Sequence, residues 1–179
     1  MPRYFALLRA INVGGRHTVR MDSLRRLFES LGFAKVETFI ASGNVLFETA
    51  SKNAQALERK IEAALREALG YDVATFIRTD AELTAVATYE PFSRSDLAEA
   101  AALNIAFLAD GPDDEAGQKL LALRSEVDDF RLHGREVYWL CRKRQSESKM
   151  SNAVLEKALG QKSTMRGANT IKKMVAKYS

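Results

Sequence analysis

The chain has 179 residues, enough for one medium domain or two small subdomains sharing a core. With 46% apolar and 28% charged residues it has the composition of an ordinary globular protein, and no apolar run approaches the ~18 residues a membrane span needs. The single cysteine, Cys141, excludes an intramolecular disulfide. Together with the lack of a signal-peptide pattern after Met1-Pro2-Arg3-Tyr4, it gives the expectation of a cytoplasmic protein with no membrane partner.

Arg3 to Ala10 is apolar and aromatic and reads as a strand. Met21, Leu24, Leu27, Phe28 and Leu31 recur at helical steps and predict a helix over 21–31, closed by Gly32. Val36 to Ile40 and Val45 to Phe47 read as strands around an Ala41-Ser42-Gly43-Asn44 turn. Leu57, Ile61, Leu65 and Leu69 place a helix over 54–69. Asp72 to Ile77 reads as a fourth strand, and Thr79-Asp80 as the cap of a short helix to about Ala87. Tyr89 to Ser95 reads as a linker, dividing the chain into subdomains 1–90 and 91–179.

The second half repeats the order. Leu103 to Leu108 is a predicted strand, and 113–125 a predicted helix. Asp129 to Leu132 and Glu136 to Cys141 are predicted strands around His133-Gly134-Arg135. Met150 to Leu159 is a predicted helix, Ser163 to Arg166 a short strand, and 170–177 a last helix. The expectation is an α+β protein of two ferredoxin-like, split β-α-β subdomains plus a C-terminal helix. In that topology the first and second strands of each half run parallel. The loop after the first strand then lies at the same end of the sheet as the hairpin after the second.

The stretches "LLRAINVGG", "LRRLFESLGFAKVETFIASGNVLFE", "SKMSNAVLEKALG" and "TMRGANTIKKM" resemble the family called domain of unknown function 1697. The resemblance is densest at 7–48 and 148–174, and it implies a fold of two α+β subdomains with no established activity. Ala10 stands where that family usually has Gly. Arg166-Gly167-Ala168-Asn169-Thr170 stands where it usually has Arg-Asn-Trp-Asn-Thr, so a Trp anchor is missing.

Two sets of residues carry candidate chemistry. The first is Asn12, Gly14, Gly15 and Arg16 with Ser42, Gly43 and Asn44. Backbone N–H groups of a Gly-Gly turn before a helix can cradle phosphate, with Arg16 as a charge-assisted donor. The same glycines can also serve positive φ alone, and Ser42-Gly43-Asn44 is explained by turn chemistry. The motif is neither a Gly-x-Gly-x-x-Gly fingerprint nor a P-loop.

The second set is basic. Net charge is only +4, yet residues 131–179 hold 12 basic and three acidic side chains, against 12 and 11 in residues 1–90. Arg142, Lys143, Arg144, Lys149 and Arg166 are the candidate contacts to nucleic acid; a solvated face is the other reading. Single-stranded nucleic acid would also need aromatics exposed on the sheet, and Tyr138 and Trp139 alternate across it, so only one of them can be exposed. Cys141 shares a face with Trp139 and reads as a packed thiol, with nucleophile as the remote alternative. His17 and His133 have no partners at metal spacing, so no metal and no cofactor are expected. The functional expectation is a binding module for a phosphate-bearing ligand, either nucleic acid or a nucleotide. The alternatives are an enzyme on a small phosphorylated or carboxylated substrate at the N-terminal loops, and a protein-interaction module.

Overall fold

The computed structural model describes residues 1–9, 19–40, 43–144 and 148–178. The chain clusters into two units, Met1–Ala85 with Tyr178, and Val86–Lys177.

In the first unit β1 (Arg3–Leu8), α1 (Met21–Ser30), β2 (Ala34–Thr38), β3 (Asn44–Glu48), α2 (Ala54–Leu69) and β4 (Thr75–Thr79) follow the expected order. The sheet order is β2-β3-β1-β4 with every neighbouring pair antiparallel, so β1 and β2 run parallel with β3 between them. One face of the sheet carries Tyr4, Ala6, Leu8, Val45, Phe47 and Ile77. It packs with Leu24 and Phe28 of α1 and Leu57, Ile61 and Leu65 of α2, the same positions that set the helical period. Asn53 caps α2 through the Ala56 N–H, and Gly70 closes it at φ 81°.

β2 begins and ends two residues earlier than the sequence suggests. Its pairing with β3 slips between Ala34 and Glu37, where Lys35 has φ 50°. Ile40, read as strand, instead has φ 57°. α3 (Asp80–Thr88) follows β4 directly. Thr79 Oγ1 accepts from Glu82 N (3.1 Å) and Glu82 Oε1 accepts from Thr79 N (2.9 Å), a reciprocal cap.

The second unit holds α4 (Arg94–Glu99), β5 (Ala102–Leu108), α5 (Asp114–Leu121), β6 (Asp128–His133), β7 (Glu136–Cys141), α6 (Asn152–Leu159), β8 (Ser163–Gly167) and α7 (Ala168–Tyr178). Its sheet order, β6-β7-β5-β8, repeats the first, again antiparallel throughout. Ala106, Leu108, Phe130, Val137, Trp139 and Cys141 share one face and pack with Leu120, Leu155 and Leu159 from α5 and α6.

Two differences from the sequence reading have local causes. Part of the expected linker is α4, capped by Ser93 through the Asp96 N–H. α5 ends four residues before Ser125, because the Ser125 hydroxyl accepts from the N–H groups of Val127 and Asp128 (3.1 Å each) and turns the chain into β6.

Candidate functional site

The end of β1 meets the β2–β3 hairpin. Leu8 N donates to Gly43 O (2.9 Å), and Leu7 stands opposite Asn44. Asn12, Gly14, Gly15, Arg16 and Ser42 lie outside the described residues. Gly43 sits at φ 81°, a turn requirement. Asn44 is fully buried, and its Nδ2 donates to Phe39 O (2.9 Å) while Phe39 N donates to Asn44 O (3.0 Å). Its amide therefore closes the hairpin.

The basic third is divided by burial. Arg142 is half-buried, paired with Asp96 (3.5 Å) and donating to Glu126 O (3.4 Å). Lys143, Arg144 and Lys149 are exposed. Arg166 is 7% exposed, and its Nη1 donates to Thr164 Oγ1 (2.7 Å) and Met165 O (2.9 Å). Burial lowers its pKa to about 10. A guanidinium so enclosed offers little to a polyanion.

Tyr138 and Trp139 are both buried, against the expectation that one could be exposed, because β7 is covered on its two faces. Tyr89 lies against the Tyr138 side, stacked on His133 at 4.0 Å and 5.1 Å from Tyr138. The Tyr138 hydroxyl has no hydrogen-bond partner among the described residues, and burial pushes its pKa well above the ordinary phenol value. Cys141 is fully buried, its thiol donating to Lys143 O (2.8 Å). Among the described residues no group of three His, Cys, Asp or Glu side chains could hold a metal ion.

The second unit also contains a cavity of about 380 Å³ between the end of α5, the start of β6 and the segment entering α6. Leu123, Val127, Met150 and Val154 form its apolar wall; Ser125, Asp128, Ser148 and Lys149 supply the polar atoms. Asp128 is 4% exposed. Its Oδ1 accepts from Trp139 Nε1 (2.8 Å) and from Ser148 Oγ (2.9 Å), and the same hydroxyl lies 2.8 Å from Oδ2. Ser148 Oγ in turn accepts from Met150 N (2.9 Å), which fixes the approach to α6, and Ser151 caps that helix through Val154 N. A carboxylate offers roughly four acceptor sites, so Asp128, with two side-chain donors, keeps acceptor capacity. Lys149 forms no ion pair with any described residue.

Of the basic candidates, the cavity takes in Lys149 alone. It adds Asp128 and Ser148, which sequence reasoning missed. The available signal was the alternation of β6: Asp128 lies two residues from Phe130, which pairs with Trp139, so it falls on the same face as the indole.

No curated protein matches this sequence. The fold is similar to "The structure of conserved bacterial protein SP0830 from Streptococcus pneumoniae", with 25% identity, a TM-score of 0.77, and coverage of 98% of this chain and 97% of that one. Over residues 1–138 the sequence matches the family described as "Protein of unknown function (DUF1697)". That match takes in Met1–Ala85 of the first unit and the second unit as far as β7, and the chain belongs to this family.

Proposed function

We propose that this protein is a binding module for a small phosphate-bearing ligand, carried on two ferredoxin-like units. The observation behind the reading is the cavity at the start of β6, where an exposed lysine with no carboxylate partner among the described residues, Lys149, stands beside an apolar wall. The cavity also adjoins the first turn of α6, where the helix dipole favours negative charge. A volume near 380 Å³ suits a small molecule. The burial of Tyr138 and Trp139 removes the stacking surface a single strand would use on β7. Burial of Asn44 and Arg166 also takes two candidate contacts out of the reading.

The test is thermal denaturation with a panel of nucleotides and sugar phosphates, each beside its dephosphorylated counterpart. Stabilisation that depends on the phosphate and is lost in Lys149→Ala supports the reading; a ligand at ~100 times its Kd adds about 2.7 kcal/mol. Stabilisation lost in Arg16→Ala and kept in Lys149→Ala moves the site to the N-terminal loop. No response to any phosphate overturns the proposal.

Exposed Lys143 and Arg144 favour a second reading, binding of a single-stranded nucleic acid. With about four phosphates neutralised, log affinity would fall with log salt at a slope near −2.8, and neutralising Arg142, Lys143 and Arg144 together would flatten it.

A further inference from the structure

We infer that the cavity between α5, β6 and α6 takes a nucleoside monophosphate, with the base against Leu123, Val127, Met150 and Val154, the phosphate at Lys149, and a hydroxyl or amino donor of the nucleoside on Asp128. The inference rests on the phosphate reading above and adds to it the body that the phosphate carries.

Three features of the cavity have to be met at once. Four apolar side chains line it, more than inorganic phosphate or a simple sugar phosphate can use. Burying a flat base against them removes apolar surface from water on both partners. The second feature is Asp128. Its carboxylate is an acceptor only, held in place by Trp139 and by Ser148. It rewards a ligand that brings a hydrogen-bond donor and repels a second anion, so the phosphate has to lie away from it. The third is Lys149, which supplies the positive charge among the lining residues. A ligand that satisfies all three has a donor-bearing polar group, a flat apolar body and one anionic group. Among phosphate esters a nucleoside monophosphate has these parts. A nucleoside lacks the anion, and ribose 5-phosphate lacks the body.

The anchoring of Asp128 argues for a preorganised acceptor. The carboxylate is fixed from the sheet side by the indole N–H and from the α6 side by the Ser148 hydroxyl, and Ser148 is itself fixed by Met150 N. A site built this way loses little freedom on binding. Asp128 also accepts from the indole of the chain's single tryptophan, so occupancy has a built-in optical readout.

The experiment is a calorimetric titration of the full chain at low salt with adenosine 5′-monophosphate and guanosine 5′-monophosphate. Adenosine, guanosine, ribose 5-phosphate and inorganic phosphate are titrated in parallel. The expected result is that at least one nucleotide binds tenfold or more tighter than its nucleoside and than ribose 5-phosphate, with a change in Trp139 fluorescence. Val154→Trp, which fills the apolar wall, should bring the nucleotide down to the level of ribose 5-phosphate. Lys149→Ala should bring it down to the level of the nucleoside. Leu123→Trp, at a 39% exposed position of the same wall, serves if Val154→Trp does not fold.

Ribose 5-phosphate or inorganic phosphate binding as tightly as the nucleotides overturns this inference and leaves the phosphate reading standing. Nucleosides binding as tightly as their monophosphates overturn the phosphate reading itself. Nucleotide affinity unchanged in folded Lys149→Ala and wall-filling variants removes the ligand from this cavity and overturns the inference. No binding of any of the compounds overturns both.

Discussion

The carboxylate of Asp128 accepts the indole N–H of Trp139 at 2.8 Å, inside a core in which both side chains are almost wholly excluded from water. The pair joins the first residue of β6 to the middle of β7 and fixes one boundary of the cavity. Asp128→Ala leaves the indole N–H and the Ser148 hydroxyl without their acceptor, and should cost about 2–3 kcal/mol in urea denaturation. Asp128→Asn keeps an acceptor oxygen and should cost less. Equal loss in the two variants would mean that the negative charge, rather than the acceptor, matters there.

The β2–β3 hairpin stores strain. Ile40 is a β-branched residue at φ 57°, and its side chain is 54% exposed, so little burial offsets the cost. Left-handed backbone costs such a residue roughly 1–2 kcal/mol, and Ile40→Asn or Ile40→Gly should therefore raise stability by about 1 kcal/mol. Asn44→Ala should act in the opposite direction by about 1–2 kcal/mol, since it takes from the part-buried Phe39 carbonyl its amide donor. Chemical denaturation of the three variants checks both signs.

Much of the fold was legible because its elements are periodic. Leu57, Ile61 and Leu65 step by four and all three are buried; Phe5 to Leu8 reads as a strand and lies at the centre of a sheet. Elements without a period were not. α4 has only six residues, none of them buried, so it offers no apolar face to detect. β2 was displaced because a bulge at Lys35 breaks its alternation.

The cavity was harder still. Lys149 stood out by charge, but its neighbours Asp128 and Ser148 are 20 residues apart and meet only through the pairing of β6 with β7 and the entry to α6. Asn44 shows the converse. An Asn beside a Gly reads equally as ligand contact or turn closure, and only burial distinguishes the two.

Asp80 gives a pH test. Burial raises its pKa and the Glu48 carboxylate adds to that, while Arg3, 3.6 Å away, pulls it back. A raised folded pKa means that the folded state binds this proton more tightly than the unfolded chain. The contribution is complete below the unfolded pKa and is lost as pH rises through the folded one. Wild type should thus fall relative to Asp80→Asn between about pH 3 and pH 6. The difference will be small, because the Asp80 side chain is half exposed and screened by solvent. Arg3→Ala should enlarge it. Urea titrations across that range give the sign, and a wild type that gains on Asp80→Asn with rising pH would contradict the assignment.

Arg166 and Lys149 make opposite predictions although both are basic residues of the last third. Arg166 is buried, with Nη1 hydrogen bonds to Thr164 and Met165 and a pKa lowered to about 10 by desolvation. Its charge is a cost that those hydrogen bonds offset, and deleting the side chain leaves a void and unpaired acceptors. Arg166→Ala should lose about 2–3 kcal/mol of stability. Lys149 is exposed and touches no carboxylate among the described residues, so Lys149→Ala should change stability by less than about 0.5 kcal/mol. Ligand titrations divide the two the other way. At a temperature where both variants are folded, phosphate-dependent binding should survive in Arg166→Ala and fail in Lys149→Ala. Binding lost in a folded Arg166→Ala and retained in Lys149→Ala would shift the site from the β6–α6 cavity to the β8 edge of the sheet.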